Sequence, residues 1–79
     1  MKNYEKVKEV FKIIQEQVID SPNVTGIEIA SLKKDGVYTS DLCIRVLVNS
    51  KNINHKDLNI PESVEGIVIS VTYKTIFPQ

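Results

Sequence analysis

Asp35-Gly36 stands between two segments in which apolar and polar residues alternate, and this arrangement limits the fold more than any other feature of the chain. Both central positions of a tight type I′ hairpin turn need positive φ, which Asp-Gly tolerates well. The first flanking segment runs from Val24 to about Lys33. It places Ile27 and Ile29 on one face and Gly26, Glu28, Ala30 and Leu32 on the other. The second runs to about Asn49, with Leu42, Ile44, Val46 and Val48 on one face and Cys43, Arg45 and Leu47 on the other. With Asp35-Gly36 as the loop, Lys34 pairs with Val37, Ile27 falls opposite Ile44 and Ile29 opposite Leu42. Apolar faces then meet, whereas a slip of one residue would mismatch them. The polar stretch Tyr38-Thr39-Ser40-Asp41 is the place for a bulge or a longer loop.

Ahead of this hairpin, residues from about Asn3 to Ile19 follow a helical period. Tyr4, Val7, Val10, Phe11, Ile14 and Val18 fall within an arc of about 120°. Lys8, Glu9, Lys12 and Glu16 lie on the opposite side. Asp20-Ser21-Pro22-Asn23 ends the helix, because proline lacks the amide hydrogen and disfavours helix in the residue before it. A helix with one oily stripe needs a surface to lie on, and the hairpin supplies it.

After the hairpin, residues 50–66 are largely polar but carry Ile53, Leu58, Ile60 and Val64. Asn54 is placed to cap a short helical turn over His55-Lys56-Asp57-Leu58, which Pro61 stops. A third alternating segment runs from Ile67 to about Phe77. It sets Ile67, Ile69, Val71 and Tyr73 on one face and Val68, Ser70, Thr72 and Lys74 on the other. The expected fold is a single α+β domain over residues 1–79. One N-terminal amphipathic helix packs on a three-stranded, mainly antiparallel β-sheet, with a short helical turn in the 50–66 connector. Alternation does not say where the third strand inserts.

One helix covers one face of such a sheet. The second face would carry Glu28, Ala30, Cys43, Arg45, Leu47 and Val68, together with Gly26, Ser70 and Thr72. In the expected register Glu28 and Arg45 are diagonal neighbours and form a cross-strand ion pair. Antiparallel sheets often leave one side wet, so a solvated face competes with a protein-interaction face at this position.

Charge and composition narrow the functional classes. Ten basic residues balance ten acidic ones, so the chain lacks the cationic surplus that binds nucleic acid. The sole cysteine, Cys43, forms no intrachain disulfide. The opening Met1-Lys2-Asn3-Tyr4-Glu5-Lys6 has no signal-like apolar stretch, and no apolar run is long enough for a membrane span. These features predict a cytoplasmic chain without nucleic-acid or membrane partners.

No catalytic, cofactor or metal site is expected. His55, the single histidine, lies in the polar connector and reads as a solvated loop residue, because acid–base chemistry needs a positioned partner. Cys43 reads as a small hydrophobe within a strand. One Cys and one His fall short of a structural zinc set, and the acidic residues lack calcium-loop spacing. The three isolated glycines form no phosphate-cradling motif. Gly36 serves the turn, Gly26 marks a bulge or a close backbone approach, and Gly66 lets the connector re-enter the sheet.

Several short stretches stand in one order along the chain: Asn23-Val24-Thr25-Gly26, Asp35-Gly36, and Ile44-Arg45-Val46-Leu47-Val48-Asn49-Ser50-Lys51. Leu58, Ile60-Pro61 and Val64-Glu65-Gly66-Ile67 follow. Over residues 23–71 this pattern resembles a small bacterial domain of poorly defined function that also occurs upstream of trypsin-like peptidase domains. Glu28 and Ala30 stand where that family often repeats glycine. The resemblance implies a non-catalytic accessory or interaction module and supplies no site residues.

The expected function is therefore non-catalytic protein interaction, with another protein or a second copy of the chain as partner. The alternatives are an inhibitor-like accessory module for a peptidase, and a small-molecule sensor with a crevice near Asn54, His55 and Lys56.

Overall fold

The computed structural model of the chain describes residues 4–73. Asn3 and the stretch Lys74 to Phe77, which the periodicity adds to the helix and the last strand, lie outside the described residues. The elements in order are α1 (Tyr4–Val18), β1 (Val24–Lys34), β2 (Val37–Val48), α2 (His55–Leu58), β3 (Ser63–Val64) and β4 (Ile67–Tyr73). They form an α+β domain whose sheet order is β1-β2-β4-β3.

Helix α1 buries Val7, Val10, Ile14 and Val18. Three valines and an isoleucine are poor intrinsic helix formers, so this helix depends on docking its stripe rather than on propensity. Phe11 is partly buried against the same core. Tyr4 departs from the expected stripe: it is exposed, with the Lys8 ammonium 5.6 Å from its ring centroid. That cation–π contact, one helical turn along, suits a ring left at the water boundary.

Opposite the helix, Ile44, Val46, Val48, Ile67 and Ile69 are buried in one cluster. Leu58 and Ile60 join it from the connector, so α2 lies on the helix side of the sheet as well. The Asn54 side chain accepts from the Asp57 amide, and the Asp57 carboxylate accepts from the Asn54 amide. Asn59, with φ of 57°, turns the chain out of α2 before Pro61 is reached.

The sheet corrects two sequence-based expectations. It has four strands rather than three, and it is mixed rather than mainly antiparallel. Strand β4 lies parallel to β2, with Ile44 beside Ile69 and Val46 beside Val71. The connector is longer than the roughly dozen residues a crossover needs, so the chain can return to the start of β2 before entering β4. The additional strand is short: β3 pairs antiparallel with β4, Val64 opposite Ile67. Glu65 (φ 50°) and Gly66 (φ 83°) make its turn, as Asp35 (φ 51°) and Gly36 (φ 81°) make the first one. Two positive φ values in succession identify both as type I′ turns.

The hairpin register also differs from the expectation. At the tip Lys34 pairs with Val37 and Lys33 with Tyr38, as the turn predicts. Beyond it, Ser31 pairs with Leu42, so Thr39, Ser40 and Asp41 oppose Leu32 alone. The Thr39 hydroxyl stabilises this bulge. It donates to the Leu32 carbonyl at 2.8 Å and accepts from the Asp41 amide at 3.2 Å. Ile27 therefore faces Val46 and Ile29 faces Ile44, two residues along from the expected partners. A second irregularity inserts Thr25 between Val24 and Gly26. It turns Val24 toward the helix side, where it packs on the core. Gly26 thus sits beside a bulge, as its lack of a side chain suggests.

No helix among the described residues is long and apolar enough to cross a membrane.

Candidate functional site

All helical and connector packing falls on one face of the sheet, so the other face is uncovered by any described element. Alternation along β1, β2 and β4 fills it with the side chains that do not enter the core. The register sets Gly26 beside Leu47, Glu28 beside Arg45 and Ala30 beside Cys43. On the far side of β2, Arg45 neighbours Ser70 and Leu47 neighbours Thr72. The structure thus gathers Glu28, Ala30, Cys43, Arg45, Leu47 and Val68 on one face. Cys43 is buried and the other five are half-buried.

Glu28 and Arg45 meet directly, not diagonally as the unbulged register would have it. One guanidinium nitrogen donates to the Glu28 carboxylate at 2.9 Å. The two-residue shift at Thr39 is what brings them level. Their side chains remain 43% and 26% exposed, so the pair stabilises the fold by less than about 1 kcal/mol. Arginine carries five N–H donors, and the remaining ones on Arg45 have no protein partner among the described residues.

Beside this pair the face sinks into an open hollow of about 370 Å³. Leu32, Lys33 and Tyr38 of the hairpin arm border it, with Cys43 and Arg45 from β2 and Ser70 from β4. Among the described residues of the lining, Lys33 and Arg45 are the only charged ones, and both are cations. The Lys33 ammonium stands 5.5 Å from the Tyr38 ring centroid. Cys43 belongs to this lining yet is only 2% exposed. Burial pushes its thiol above the usual range, against a lowering pull from Arg45 and with a smaller push from Glu28.

The connector residues serve a different purpose. His55, expected to be a solvated loop residue, is half-buried, and its Nε2 lies 2.5 Å from the Ile69 carbonyl. A carbonyl only accepts, so Nε2 carries the proton and donates. The Ile69 amide donates in turn to the Glu62 carbonyl at 2.8 Å. Strand β3 stops before Ile69, and these two contacts satisfy the Ile69 backbone beyond it. Nothing in the local sequence signals this role, because the partner is distant along the chain. Asn54 is engaged in its cap and His55 in its bond to Ile69, while Lys56 is exposed and the hollow lies on the opposite face of the sheet. Among the described residues no group of three or more His, Cys, Asp or Glu is arranged to hold a metal ion.

Searches of protein-family models, of curated proteins and of solved structures gave no match to the chain.

Proposed function

We propose that the chain is a non-catalytic protein-interaction domain that works through its open sheet face, and that a second copy of the chain covers that face. One observation carries this reading: Glu28, Ala30, Arg45, Leu47 and Val68 are half-buried around a single ion pair, with no described element above them. The apolar side chains of this face, Ala30, Leu47 and Val68, lose unfavourable contact with water when a second surface packs on them. A homodimer needs a self-complementary patch, and adjacent acid and base side chains make one. The groups best suited to chemistry point the same way. The His55 ring is bound to a backbone carbonyl, and the Cys43 thiol is buried and held protonated.

Light scattering on a sizing column tests the proposal. At high micromolar concentration the wild-type chain should elute as a dimer. Leu47→Asp, which sets a charge in the middle of the face, should elute as a monomer with an unchanged circular dichroism spectrum. A wild-type chain that stays monomeric there, or a dimer indifferent to Leu47→Asp, overturns it.

A further inference from the structure

The register of the first hairpin carries information about how a second copy would sit. Across the midline between β1 and β2, the facing residues on the open side are unlike in each case. Gly26 faces Leu47, Glu28 faces Arg45, and Ala30 faces Cys43. Resting on the dimer reading above, we infer that the second copy stacks on the open face about a two-fold axis that runs along this midline. Such an axis exchanges the two strands, so each residue meets the image of its cross-strand neighbour.

The exchange matches both charge and size. Glu28 of one copy comes over Arg45 of the other, and Arg45 over Glu28, closing four charges into a ring of alternating sign. Leu47 comes over Gly26, where the second copy has no side chain, and Cys43 over Ala30. Arg45 has donors to spare, since one of its nitrogens alone is bonded to its own Glu28. Lys33 gives the adjoining hollow a second cation for the arriving carboxylate. An axis along β2 would instead set Arg45 against its own image, two cations face to face. Sheets stacked in this way lie about 10 Å apart with nearly aligned strands, a gap that Glu and Arg side chains bridge.

A double charge swap, Glu28→Arg with Arg45→Glu, provides the test, because it keeps the intrachain pair and reverses its direction. The swapped chain should fold and should dimerise with itself as the wild type does. Mixed with isotopically labelled wild type, however, it would place Glu over Glu and Arg over Arg. Native mass spectrometry of the mixture should then show mixed dimers on the order of tenfold below their statistical share of about half. Statistical mixing, or a swapped chain that folds but stays monomeric while the wild type dimerises, overturns the inference and leaves the dimer itself standing. A wild-type chain that forms no dimer instead defeats the reading on which the inference rests.

Discussion

Strand β2 shows two kinds of surface one residue apart. Ile44 and Val46 point to the helix and are completely buried, whereas Arg45 and Leu47 point the other way and remain half-exposed. The first surface is made of side chains interchangeable in chemistry, all aliphatic and all in one cluster with α1 and α2. The second is a mosaic in which an acid, a base, a thiol, a glycine and aliphatic residues hold defined places. A sheet face that only needs to exclude water is satisfied by hydrophobicity, while a face that must recognise something needs positional detail. The contrast is blurred only at Cys43, which lies on the open side and is nevertheless buried.

The widest gap between the two faces should appear in stability. Ile44→Ala removes a fully buried side chain from the core and should cost about 2–5 kcal/mol. Domains of this size hold on the order of 5 kcal/mol in total, so Ile44→Val, at about 0.5–1.5 kcal/mol, is the measurable companion. Leu47→Ala, measured at a dilution at which light scattering reads a monomer, should cost less than about 1 kcal/mol. Urea unfolding reads all three. If Leu47→Ala proves as damaging as Ile44→Ala in the dilute monomer, the second face is core after all and the comparison fails.

A smaller effect should distinguish how the helix side is closed at its margin. His55→Ala removes the donor to the Ile69 carbonyl and should cost about 1–2 kcal/mol, the usual range for a half-buried backbone acceptor losing its partner. Hydrogen exchange at β4 should rise in step. An alanine variant as stable as the wild type would mean that water replaces the ring, and that the helix side closes by apolar packing alone.

Much of this contrast was legible in the sequence, and the misses have definite causes. The faces of β1, β2 and β4 follow from alternation, and the hairpin tip from Asp35-Gly36. The register did not, because Thr39 inserts an even offset: a shift of two residues leaves every side chain on its original face, so alternation is blind to it. The same shift turned the expected diagonal Glu28–Arg45 pair into a direct one. Strand β3 spans two residues, too few to show any period, and Glu65-Gly66 is a weaker turn signal than Asp-Gly. The parallel placement of β4 depends on where the connector returns, which a strand's own residues do not encode. That Glu28, Ala30, Cys43, Arg45, Leu47 and Val68 share one side of the sheet follows from parity alone, which a shift of two residues preserves. The hollow was not foreseen, because it arises from the hairpin arm beside β4, a tertiary arrangement.

The finest test concerns the residue that blurs the comparison. Burial raises the Cys43 thiol, so the folded chain favours its protonated form more strongly than the unfolded chain does. Below the ordinary thiol value of about 8.5, both states hold the proton and the full contribution to stability is present. As pH rises past that value the unfolded chain loses its proton first, and stability falls until the folded thiol ionises too. Cys43→Ala removes the titrating group and leaves a packing deficit that does not vary with pH. The stability gap between wild type and variant should therefore be widest near neutrality and narrow as pH rises past the ordinary thiol value of about 8.5, because the folded thiol is the raised one. Urea midpoints measured across that rise decide the matter. A gap that stays constant would mean that the thiol ionises as readily in the folded chain as in the unfolded one, and Cys43 would then belong with the wet residues of the open face instead of with the core.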